Sequence, residues 1–490
     1  MLAKILKAKW IVLAIVVVGL LLRTYNARAT FLYSHDQDLA GWIIKDILVN
    51  GHLRLIGQET STPGIFIGPI YYYLLIPFYL LTRLDPVGGA VAISILGLAT
   101  VFSYYFVFSK MFGKFAGALA GLIYAVSFYT VFNDREVVPT TAIMLWSVWY
   151  FYALFLLLRA EKLGYLLSGA LFGLVWHINM GLALLIPLAP LAVVLSRKKF
   201  SWEGAVRAGV ALFVLSLPLM AFEIRHGGQQ IKALAVAFTT NQNDIVTGLA
   251  KVERVIFLAN KNAHNFLLAP LPVPFWVSTA TLLAGFIFIL KKKVISKSLG
   301  ILMILWWGLL LTFFSAYSKI VSEYYLNPLI VIWVAAVSLG LYYLLSQKKL
   351  IILGSLLLLF FVGFNIYRIF TFPVNASGYI QKKALVDFID NDKKDKGYPC
   401  IAVSFITQPG YDMGYRYFFW LKGTYLNKPK EGVPVYTIAF PHSKVGRIDR
   451  SFGALGLVLP DYERYNPDMV SGSCDEGNSN LTEPMLLYTE

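Results

Sequence analysis

Charge is what this 490-residue sequence has least of: Asp, Glu, Lys and Arg make up 14% of it, against about 25% in a soluble domain. Cysteine is almost absent, with two residues, and two give no metal-cluster spacing. No P-loop, Gly-x-Ser-x-Gly, His-Glu-x-x-His or Rossmann glycine pattern occurs, so ATP hydrolysis and serine or zinc hydrolysis have no support. Acidic residues are the scarcer sign, 27 against 43 basic ones, for a formal charge of +16. This excess does not point to nucleic acid. The basic residues cluster at the ends of apolar blocks, where they anchor helices and set their orientation.

What is there is apolar. Hydrophobic residues make up 58% of the chain, in blocks near the ~20 residues that cross a bilayer as a helix. Residues 10–22 and 276–290 carry no charge at all. The first block follows Lys4, Lys7 and Lys9, like the start of a signal peptide. No clear small-residue cleavage site follows Leu22, and further spans come after, so it reads as an uncleaved signal-anchor helix.

The basic clusters Lys110/Lys114, Arg159/Lys162, Arg197/Lys198/Lys199, Lys291/Lys292/Lys293/Lys297 and Lys348/Lys349 mark the cytoplasmic side. They predict eleven spans, near residues 10–22, 87–108, 116–132, 139–158, 164–178, 180–196, 205–223, 268–290, 299–318, 324–345 and 350–370. Residues 66–82 are apolar enough to be a twelfth, but crossing there would put most later basic clusters outside. Two prolines and three consecutive tyrosines suit an interfacial or re-entrant helix on the outer face. The fold class expected is therefore a mainly α, polytopic helical membrane protein with a small external α/β domain at its C-terminus. The division is 1–372 and 373–490, with the N-terminus cytoplasmic, an external loop over 23–86, and the plasma membrane of a prokaryote as the location. In the tail, ALVDFIDND and YDMGYRYFFWLKG read as helices and CIAVSFI, PVYTIAF and ALGLVLP as strands. Cys400 and Cys474 both fall there, and either a disulfide or two free thiols fits.

Five clusters fall on the outer side of this threading. Tyr33-Ser34-His35-Asp36-Gln37-Asp38 opens a helix in the first loop, where its carboxylates either cap the helix or act as base and ligand. Asn133-Asp134-Arg135-Glu136, His177-Ile178-Asn179, Phe222-Glu223-Ile224-Arg225-His226 and Glu323-Tyr324-Tyr325 lie at other boundaries. Each alone fits a solvated turn. Together, acids, imidazoles, guanidinium groups and tyrosines at one interface suit a phosphate-bearing lipid substrate.

With these residues in view the chain resembles the polyprenyl-phosphate-dependent GT-C glycosyltransferases, the branch of protein O-mannosyltransferases and the lipid A aminoarabinose transferase. The resemblance covers most of the chain. Asp36 stands fifteen residues before Gly51, and Gly68-Pro69-Ile70-Tyr71-Tyr72-Tyr73 follows. Arg135 and Pro139, the Gly169/Gly173/His177 span, PLMAFEIRHG and EYYLNPLIVI complete the pattern. The resemblance implies inverting transfer of a sugar from a polyprenyl-phosphate carrier to a hydroxyl of a lipid, glycan or protein. It places Asp36 as the base, with Asp38 as a supporting acid. Arg135, Arg225, His226, His177, Tyr324 and Tyr325 would hold the donor phosphate or lipid, and Tyr71, Tyr72 and Tyr73 a groove. Many relatives have Asp-Glu where this chain has Asp36-Gln37. No cofactor is required in the mannosyltransferase kind. The oligosaccharyltransferase branch uses a divalent metal, which here would take Asp36 and Asp38. The rival from another class is a transporter or flippase of lipid-linked sugars. It would want ionisable residues near the bilayer midplane, whereas these gather at one face.

Overall fold

The computed structural model describes residues 2–60, 62–239, 246, 248–317, 321–408, 411–474 and 477–481. Each of the eleven expected spans has a helical counterpart. Six are long and apolar enough to cross a membrane: Val87–Phe112, Pro139–Leu158, Trp202–Arg225, Lys297–Ala316, Glu323–Ser346 and Ile351–Thr371. Leu2–Thr24 and the shorter Lys114–Val126, Lys162–Ile178, Met180–Leu195 and Phe275–Lys291 account for the rest. The chain is an integral membrane protein. Helix Ile70–Leu81 is the segment expected at the interface. Its 12 residues reach about 18 Å, well short of the ~30 Å hydrocarbon thickness.

One pair of opposite charges is buried within the bundle. Arg23 and Asp134, both almost fully buried, meet at 2.6 Å, and Tyr124 Oη donates to the other carboxylate oxygen at 3.0 Å. This pair fixes the C-terminal end of the first helix against the turn that follows residues 128–133.

The first loop folds because its helix His35–Val49 is well begun and well covered. Gln37 Oε1 accepts from both the backbone N–H and the hydroxyl of Ser34, at 2.9 Å each, giving the helix a polar cap. Gln37 is thus spent on capping. Leu39, Ala40, Ile43 and Ile44 are buried in a core shared with Tyr72, Leu75 and Tyr79 of helix Ile70–Leu81 and with the tail.

The tail begins with helix Tyr379–Asp395. Its sheet comprises β1 (Ile401–Thr407), β2 (Leu426–Asn427), β3 (Val435–Phe440), β4 (Arg450–Phe452) and β5 (Leu455–Val458), in the order β2-β1-β3-β5-β4. β2, β1 and β3 run parallel, while β5 is antiparallel to both neighbours. The expected second helix forms only over Arg416–Lys422. Cys400 and Cys474 are joined in a disulfide.

The tail is not an appendage. Gly41, in the middle of the Asp36 helix, lies flat against the ring of Tyr417, where an added Cβ would sit 2.9 Å from Cζ. Tyr417 Oη reaches on to the carbonyl of Leu84 at 2.8 Å, and Lys383 pairs with Asp85.

Candidate active site

A cavity of about 950 Å³ opens between the first loop and the neighbouring ends of the bundle helices. Its wall is built by His35 and Asp36 at the start of the loop helix, Gln58, Glu59, Thr60, Thr62, Ile65 and Ile67 of the following hairpin, Tyr129, Asn133, Glu136 and Thr140, Trp176, Asn179, Met180 and Leu184, and Tyr317, Glu323, Tyr324, Tyr325 and Asn327. Asp36 is half-buried. Its Oδ1 accepts from Gln58 Nε2 at 3.3 Å, and Oδ2 has no partner among the described residues. A carboxylate in the first turn of a helix is also favoured by the helix dipole.

Asp38 is not in this wall. Residues two apart on a helix point about 200° from each other, so Asp36 and Asp38 face opposite ways. The Asp38 carboxylate accepts from Tyr33 Oη (3.1 Å) and Trp42 Nε1 (3.3 Å). Burial pushes its pKa up to about 6, against the opposing pull of the Tyr33 hydrogen bond, Lys382, Trp42 and Arg416. Lys382, buried beside it and donating to the Met413 carbonyl at 2.7 Å, is pushed down to about 8 by the same desolvation. The two aspartates therefore do not form the metal-binding pair considered from the sequence. Among the described residues no group of three or more His, Cys, Asp or Glu has metal-binding geometry.

Three more carboxylates share the wall with Asp36, and each is managed differently. Glu59 accepts from the Gly64 N–H at 2.5 Å. Glu323 pairs with Lys261 at 3.0 Å and accepts from Asn265 at 2.5 Å. Glu136 opens onto the cavity but has protein on its other sides. Burial, then Asp36 and Glu323, push it up to about 7. Its charge at neutral pH is thus partial, and Glu323 is offset by its lysine. Opposite lies a neutral polar wall: Tyr129 Oη donates to Asn327 (2.6 Å), which in turn donates to Asn133 (3.2 Å).

Of the residues to which the resemblance gave a role, the cavity wall brings together Asp36, Tyr324 and Tyr325, and from the same clusters it adds His35, Asn133, Glu136, Asn179 and Glu323. The other role-assigned residues lie outside it. Arg135 is consumed by the backbone, donating to the carbonyls of Leu22 and Tyr25 and to Thr30 Oγ1. Its guanidinium pKa is depressed to about 10 by burial, then by Arg23. Arg225 is exposed, and His226 turns Nδ1 to the Phe222 carbonyl at 2.8 Å. His177 stands behind the wall, with Nε2 2.8 Å from the Leu215 carbonyl and Nδ1 against the backbone at Gly68. Tyr71 and Tyr72 are buried and Tyr73 half-buried; Tyr72 bonds to Gln58, and Tyr73 to the Arg54 carbonyl at 3.0 Å. The sequence reading did not single out Gln58, and it passed over Glu136 although it lies in one of the five clusters. A second, mostly apolar cavity of about 420 Å³ adjoins the first through Ile65, Trp176, Met180 and Leu234.

This arrangement, with a first-loop helix and a C-terminal sheet set over a helical bundle, is the GT-C fold. ArnT from Cupriavidus metallidurans bound to undecaprenyl phosphate superposes with a TM-score of 0.62 at 12% identity, over 94% of this chain and 99% of that one. The Archaeoglobus fulgidus oligosaccharyltransferase, in complex with zinc and sulfate, gives 0.51 at 12% identity over 89% and 68% of the two chains. AglB of the same organism, with an inhibitory peptide and a dolichol-phosphate, gives 0.51 at 12% over 94% and 75%. No family model and no curated protein matches the sequence.

Proposed function

We propose that this protein is an inverting glycosyltransferase, moving a sugar from a polyprenyl-phosphate carrier to a hydroxyl acceptor on the outer face of the membrane. The observation that carries this is Asp36. It is a helix-start carboxylate on the wall of a large cavity, with one oxygen held and the other open. In the reaction, the acceptor oxygen bonds to the anomeric carbon as the bond from that carbon to the carrier phosphate oxygen breaks. The electron pair leaves with the phosphate, and the hydroxyl proton passes to Asp36 Oδ2. Phosphate is already a tolerable leaving group, so the protein's task is a base, positioning and a suitable field.

The field follows from the charges. Lys261 offsets Glu323 and burial pushes Glu136 toward its neutral form, while Asp36 stands beside His35 and the amino end of its own helix. Those last two are where the leaving phosphate is best received. The Asn133–Tyr129–Asn327 wall offers neutral donors and acceptors to sugar hydroxyls. The apolar cavity suits the first units of a prenyl chain. The outer-face orientation is supported by the Cys400–Cys474 disulfide, since such bonds persist in oxidising compartments.

The test is transfer from a radiolabelled polyprenyl-phosphate sugar by the purified protein in detergent. Label appearing in a hydroxyl acceptor supports the reading. In liposomes, movement of intact donor across the bilayer without transfer would establish a flippase instead.

A further inference from the structure

Asp36 is contacted by a relay of two residues that the proposed reaction does not use, half-buried Gln58 and, behind it, buried Tyr72. Gln58 is the one hydrogen-bond partner of Asp36 among the described residues. It can reach from 22 positions further on because the hairpin doubles back, with Gly57 and Ile67 exchanging a 2.7 Å backbone bond. Gly57 makes this possible: an added Cβ there would fall 2.3 Å from the Tyr72 ring. Tyr72, fully buried on the interfacial helix, meets Gln58 twice. Its hydroxyl accepts from the Gln58 backbone N–H (3.3 Å) and donates to Gln58 Oε1 (2.9 Å).

The partner at the other end fixes which way the amide points. As the base, the Asp36 carboxylate only accepts, so it takes the amide N–H, and the side-chain carbonyl is left to accept the Tyr72 proton. The amide nitrogen is then the end that faces Asp36. We infer that Gln58, oriented by Tyr72, is a positioning residue for the base. Its N–H holds Oδ1 and aims Oδ2 into the cavity, so that the proton is taken up by one defined oxygen. This inference rests on Asp36 being the base.

It predicts a specific kinetic signature. Gln58→Met, which keeps length but loses the donor, lowers kcat by roughly ten- to a hundredfold and leaves the donor KM within about twofold, because the lost bond orients a reacting group and binds no substrate. Tyr72→Phe, a milder change that keeps the ring, lowers kcat less. The double variant is no slower than Gln58→Met alone, because Tyr72 acts through Gln58. Gln58→Glu replaces the donor with a carboxylate facing Asp36 and is the slowest of the set. The experiment measures all four variants and Asp36→Asn against wild type in one transfer assay, after each is shown to be monodisperse.

Wild-type kcat in Gln58→Met, or multiplicative losses for Gln58→Met and Tyr72→Phe, would overturn the relay while leaving Asp36 in place. Full activity in Asp36→Asn would instead remove the base itself. If Gln58→Met does not fold, Tyr72→Phe with unchanged kcat overturns the relay by itself.

Discussion

Gly41 tests whether the tail braces the helix that carries Asp36. In an exposed helix, Gly→Ala is stabilising by about 0.5–1 kcal/mol, because alanine loses less backbone entropy on folding. At position 41 the added methyl would meet three atoms of the Tyr417 ring at 2.9, 3.0 and 3.1 Å. That ring cannot swing aside: it is buried, its hydroxyl is bonded to the Leu84 carbonyl, and it stands edge-on to Trp42 with centroids 5.5 Å apart. Overpacking of this kind costs about 1–3 kcal/mol. Set against the propensity gain, Gly41→Ala is net destabilising by about 1 kcal/mol. The strain is relieved by a small shift of the Asp36 helix, and kcat falls severalfold at unchanged donor KM. The assays are thermal melting in detergent and steady-state transfer. In a double-mutant cycle with Tyr417→Leu, which empties the contact, the two changes couple favourably by about 1–2 kcal/mol. A Gly41→Ala variant more stable than wild type by the full propensity gain, with unchanged kcat, would refute the brace.

Two further outcomes follow from a buried ion pair and from a carboxyl on the cavity wall. Arg23→Met leaves Asp134 buried without its cation and destabilises by about 3–5 kcal/mol, whereas Arg23→Met with Asp134→Leu recovers much of this; thermal melts of the single and double variants read it. Glu136 has a folded-state pKa raised to about 7, above the ~4.3 of an unfolded chain. Its stabilising contribution is therefore full below the lower value and is lost as pH rises through the upper one. Glu136→Gln should gain in melting temperature over wild type between pH 5 and pH 8, and an equal difference at both pH values would remove the assigned shift.

Much of the fold was legible because the apolar blocks are long and their ends are marked by lysine and arginine. Each expected span has its helix, and Ile70–Leu81 is as short as an interfacial segment. The shortfalls have physical reasons. β2 and β4, two and three residues long, are too short to show a periodicity. Asp36 was readable from a spacing, and its separation from Asp38 follows from helix geometry alone. What the sequence does not display is how a guanidinium is used. Arg135 looks like a phosphate ligand, but a helix end with unpaired carbonyls at Leu22 and Tyr25 takes its donors first. Gln58 was invisible for the opposite reason: a glutamine in a loop carries no local signal, and only the hairpin closure brings it to Asp36.

The central claim is that Asp36 takes the proton, and Asp36→Asn tests it most directly. Asparagine keeps the size of the side chain but cannot accept a proton at neutral pH. In this variant transfer from a labelled polyprenyl-phosphate sugar falls by at least about a hundredfold, with melting temperature and donor binding close to wild type. Transfer at the wild-type rate in that variant would contradict it.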